Sequence, residues 1–178
     1  MKYIKKLILE DINPYNKYMS KIREEQLRFF ESLKTFKDIK KSDVPKIIDM
    51  LGHEGYNDEE EAIDDLKNKI KEWKKLNDPC ILYRIVSSET IEDINKEEPG
   101  EHWTMYDWNL DGDLINSIDD DTWEDKPLFI IEAKVPLSEI DIKQTIIQNL
   151  SFPNEYEINL KNKGKNIKFM KSYKLKGF

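Results

Sequence analysis

Leu128-Phe129-Ile130-Ile131-Glu132-Ala133-Lys134-Val135, stopped by Pro136, carries the clearest secondary-structure signal in the chain. It is a short run of β-branched and aromatic residues ended by a residue that cannot donate to a ladder, which predicts the strongest strand of the chain. Upstream, Cys80-Ile81-Leu82-Tyr83-Arg84-Ile85-Val86 has the same character, and residues 102–106 are a further strand candidate. Residues 88–98 read as a short helix or loop ending at Pro99-Gly100. Downstream, residues 155–160 and 166–175 predict two more strands, with Lys161-Asn162-Lys163-Gly164-Lys165 as a hairpin turn between them.

The residues before Pro79 read as helix. Asn13-Pro14 supplies a cap and a first-turn proline, and Met19, Ile22, Phe29, Leu33 and Phe36 recur at helical spacing. A short second helix is framed by Ser42 or Asp43, Pro45 and a terminating Gly52, with Ile47, Ile48 and Leu51 apolar. A third follows the cap Asp58, with Ile63, Leu66, Ile70 and Trp73 on one face, and stops at Asn77-Asp78-Pro79. Helices first and strands afterwards predict an α+β protein: a helical N-terminal region over 1–78 and a β-rich domain over 79–178.

The chain has 178 residues and a net charge of −7, which argues against non-specific nucleic-acid binding by the whole molecule. The charge is uneven. Residues 107–125 hold many acids and no Lys or Arg, while residues 161–178 hold seven lysines and no acid. No apolar run approaches the roughly 20 residues that span a bilayer, so no membrane partner is expected. A single cysteine, Cys80, rules out an intramolecular disulfide and fits a reducing cytoplasm. Asp107-Trp108-Asn109-Leu110-Asp111-Gly112-Asp113 matches the first half of a calcium loop, but the position for the bidentate Glu holds Ile118, so no metal site is expected.

Three separated pieces carry chemistry: Arg84 on its strand, Gly100-Glu101-His102-Trp103-Thr104, and Asn154-Glu155-Tyr156-Glu157-Ile158-Asn159-Leu160. In this order they resemble the mono-ADP-ribosyltransferase superfamily, in which an arginine strand, a Ser/Thr motif, an apolar strand and an E-x-E strand follow one another. The resemblance covers roughly residues 80–175 and implies a split β-core that binds NAD in its cleft. It implies transfer of ADP-ribose from NAD to a side chain of a target protein, in the setting of a phage or bacterial effector acting on a host protein. It gives Glu157 the ribose hydroxyl and the developing cation, and Glu155 the acceptor. Arg84 would steady the phosphates or ribose, Thr104 would brace the pocket, and His102 and Trp103 would lie at the nucleotide.

The residue chemistry is compatible with those roles. On a continuous strand Glu155 and Glu157 project from one face with Cα atoms about 6.5–7 Å apart. A fixed carboxylate stabilises positive charge developing on a sugar, and a guanidinium pairs bidentately with phosphate oxygens. The turn at residues 149–154, with Phe152, is where the family recognises its protein acceptor. Two other readings remain open: an acidic inhibitor that blocks a nucleic-acid-binding partner through residues 107–125, and an NAD glycohydrolase that uses water as acceptor.

Overall fold

The run at 128–135 pairs along its whole length with residues 80–87, the longest ladder among the described residues. The computed structural model describes residues 14–94, 100–106, 127–154, 156–167 and 169–174. The chain divides into two compact units, Met1–Lys34 and Thr35–Phe178. In the first, α1 (Pro14–Ser32) carries the Phe29 and Phe30 rings edge to face at 5.2 Å. Its apolar stripe does not run on to Phe36 as the spacing predicts. Thr35 caps a separate 3-10 turn, Phe36–Asp38, and Asp38 caps Thr35 in return.

In the second unit, α2 (Val44–Leu51) ends at Gly52, whose φ of +82° is a conformation glycine adopts without strain. In α3 (Glu59–Trp73) the Asp58 side chain accepts from Glu61 N, and Ala62, Leu66, Ile70 and Trp73 are buried. Phe36 packs on Trp73 with ring centroids 4.8 Å apart. The two rings share a small void with Leu76, Leu137, Ile140 and Ile142. Residues 35–78 therefore belong with the sheet, and the division of the chain lies at Lys34/Thr35 rather than at 78.

The five strands are β1 (Cys80–Ser87), β2 (His102–Thr104), β3 (Leu128–Val135), β4 (Glu157–Asn159) and β5 (Phe169–Lys174), antiparallel in the order β4-β2-β1-β3-β5. The α+β class is as predicted. The hairpin over 161–165 is not: β4 and β5 occupy opposite edges of the sheet. The cause is a helix that the sequence pattern did not announce. After the short α4 (Ile91–Ile94), α5 (Ile142–Ser151), capped by Asp141, lies along the outer edge of β4. Thr145 Oγ1 accepts from Asn159 N at 2.9 Å, Asn149 Nδ2 donates to the Glu157 carbonyl at 2.7 Å, and Asp141 N donates to the Asn159 carbonyl at 2.8 Å. These bonds occupy both backbone groups of Asn159 and the Glu157 carbonyl, which β5 would otherwise have to use. Residues 161–164 instead form a 3-10 turn with Asn162 and Lys163 in the left-handed region. No helix among the described residues is long and apolar enough to cross a membrane.

Candidate active site

Residues paired across antiparallel strands share a face. Tyr83 is opposite Thr104 and Thr104 opposite Glu157, while His102 is opposite Asn159, so these side chains lie on one face of the sheet. Glu132, opposite Tyr83, belongs to the same face, about 14 Å from Glu157 at three strand spacings. The other face carries Leu82, Trp103, Ile131, Ala133 and Ile158, all essentially buried.

His102 Nδ1 and Glu157 Oε2 stand 2.8 Å apart, a diagonal pair across β2 and β4. A carboxylate only accepts, so Nδ1 carries the hydrogen and donates it to Glu157. His102 Nε2 is left facing solvent, with Glu101 Oε1 3.5 Å away. The Glu157 side chain is 21% exposed and that of His102 44%, so the pair is open to a ligand from one side. Thr104 is buried and its Oγ1 accepts from Tyr106 N at 3.3 Å. Asn159, also buried, presents an amide Nδ2 with no hydrogen-bond partner.

The approach to Glu157 is pinned from beneath. Tyr156 has a φ of +51°, uncommon for a bulky residue. Its ring lies under Lys69 Nζ at 4.8 Å and edge-on to Tyr106 at 5.5 Å. Lys69 is buried on α3, and its ammonium pairs with Asp65 at 3.0 Å and donates to the carbonyls of Asn149 and Pro153. Burial pulls the Lys69 pKa below the usual lysine range, with Asp65 opposing. Tyr56 donates to Asp65, and burial followed by that hydrogen bond pushes its phenol well above the ordinary tyrosine range.

Of the sequence-predicted residues, the fold brings together His102, Thr104 and Glu157. Arg84 is opposite Ile131, one residue out of phase with Tyr83, and so lies on the other face with Trp103. Its guanidinium rests against Gly100, where a Cβ would fall 1.4 Å from Nη1. Trp103 donates its indole N–H to the Gly100 carbonyl at 3.0 Å. Arg84 and Trp103 thus support the loop that leads into His102. Glu155 lies outside the described residues, as do Asn13 and residues 107–125 with their half calcium loop. The continuous strand expected for the two glutamates does not extend back through Tyr156, where the backbone turns left-handed.

Sequence reasoning missed Tyr83, Asn149, Asn159 and Lys69. Only Lys69, a charge on the Leu66/Ile70 face of an amphipathic helix, left a signal. Among the described residues, no group of three or more His, Cys, Asp or Glu side chains is placed to hold a metal ion. No family model, curated protein or solved structure matches the chain.

Proposed function

We propose that the chain is a mono-ADP-ribosyltransferase that transfers ADP-ribose from NAD to a side chain of a target protein, with Glu157 as its central catalytic group. The observation that carries the reading is the His102 Nδ1 to Glu157 contact of 2.8 Å on a sheet face shared with Thr104 and Asn159. Three motif-bearing strands, up to about seventy residues apart in sequence, are neighbours there in the order β1, β2, β4.

The groups on that face suit a ribose. The Glu157 carboxylate accepts from a ribose hydroxyl and, held by His102, stays in place as positive charge builds on the sugar. As the bond from the anomeric carbon to nicotinamide breaks, nicotinamide leaves with the bonding pair. The acceptor nucleophile bonds to that carbon and gives up its proton. His102 Nε2 is positioned to take it, with Glu101 beside it to balance the imidazolium. The resemblance assigns the acceptor to Glu155; on the described residues, His102 does that work. The proposal gives Arg84 a supporting place behind Gly100, with no part in phosphate binding.

The test is nicotinamide release from NAD by the purified protein, measured beside Glu157→Gln and His102→Ala. Glu157→Gln is expected to abolish turnover, and His102→Ala to slow it about a hundredfold, the scale of one general acid–base group. Equal activity in all three proteins, each folded, overturns the assignment.

A further inference from the structure

A second site lies on the opposite stripe of α3 from Lys69. Lys69 points to Pro153 and Tyr156, whereas Lys67 and Lys71 stand at i, i+4 spacing on a different side of the helix, with Lys75 in the turn just past its end. Together with Lys74 and with Lys40 and Lys41 of the preceding 3-10 turn region, they line a groove of about 770 Å³. Val44 and Ile70, both buried, close its floor.

The electrostatic account favours an anion. Lys67 pairs with Asp64 at 2.8 Å, Lys75 with Glu72 at 2.6 Å, and Lys74 donates to the Ile39 carbonyl. Lys40, Lys41 and Lys71 make no ion pair among the described residues. Asp64 is the one acidic residue of the lining, and Lys67 first, then Lys41, hold its carboxyl below the usual range. A chain of net charge −7 thus concentrates six lysines around one concavity. Such a concavity gathers anions from solution. Its volume lies within the range of small-molecule sites, and ammonium groups recognise phosphate as point charges.

We infer that this groove binds a nucleotide-sized polyphosphate, its phosphates on Lys40, Lys41 and Lys71. The site is separate from the Glu157 face and does not depend on the proposed reaction.

The experiment is calorimetric titration of the full chain with ATP at about 0.15 M salt, where exposed charges further apart than about 8 Å are screened. Inorganic tripolyphosphate serves as competitor and a short single-stranded oligonucleotide as a third ligand. One saturable ATP site is expected, displaced by tripolyphosphate. The affinity should fall about tenfold or more in Lys40→Glu/Lys71→Glu, the scale on which a charged cleft concentrates its ligand. It should hold in the charge-matched control Lys134→Glu/Lys174→Glu, whose lysines are exposed on β3 and β5. Glu157→Gln should bind ATP like the wild type, which keeps this result distinct from the fate of the catalytic reading. Absence of saturable binding, failure of tripolyphosphate to compete, equal loss in the control pair, or tighter binding of the oligonucleotide overturns the inference.

Discussion

Lys69 shows how one residue fixes another's position from a distance. Its ammonium holds two carbonyls, a carboxylate and the Tyr156 ring together immediately before Glu157. Removing it leaves two carbonyls without their donor and Asp65, partly exposed and still bonded by Tyr56, without its cation, at a cost of about 1–3 kcal/mol. Lys69→Met should therefore lower the unfolding free energy by about that amount, read as a lower urea midpoint at unchanged slope, and Lys69→Met/Asp65→Leu should recover part of it; an unchanged midpoint in the single variant contradicts this role. Cys80 makes a pH prediction. Burial raises its thiol from 9.0 to about 11. The unfolded thiol loses its proton first, so this stabilising contribution is complete below pH 9.0 and is lost as pH rises to about 11. The stability difference between wild type and Cys80→Ala should shrink across that window, and a difference that stays constant contradicts it. Tyr56, also raised, acts in the same direction at higher pH, and Lys69 acts in the opposite one; both cancel in that difference.

At the scale of elements, β4 depends on α5. Thr145→Val keeps the shape and removes the acceptor for Asn159 N, which leaves a buried N–H unsatisfied at about 1–3 kcal/mol. Amide exchange at Asn159 should quicken accordingly, and protection equal to the wild type's would place the β4 edge elsewhere. This helix was hard to read from the sequence because Thr145 and Asn149, polar residues among Ile142, Ile146 and Leu150, are buried to serve a strand edge rather than an apolar core. By contrast, β3, the Asp58 cap and the Gly52 stop depend on local chemistry alone and were legible. The site was legible only as an order of motifs. Which of Tyr83 and Arg84 faces Glu157 is decided by the register of β1 on β2 and β3, a contact between distant parts of the chain. The E-x-E alternation failed as a strand argument because Tyr156 leaves extended backbone, held there by Lys69 and Tyr106.

At the scale of the whole molecule, the composition shift at Pro79 marked a change of secondary structure and not a boundary between units. The interior of the second unit draws on Phe36, Trp73 and Leu76 from before Pro79 and on Leu137, Ile140 and Ile142 from after it. A fragment of residues 35–178 should unfold cooperatively, while one of residues 79–178 should lack a cooperative transition because α3 and its buried face are gone. Cooperative unfolding of the shorter fragment would restore the boundary at 78. Incubation of the whole protein with labelled NAD and a bacterial lysate, beside Glu157→Ala, tests ADP-ribosyl transfer itself. A labelled protein band is expected with the wild type and none with the variant. Label of equal strength in both, or none in either from folded protein, contradicts it.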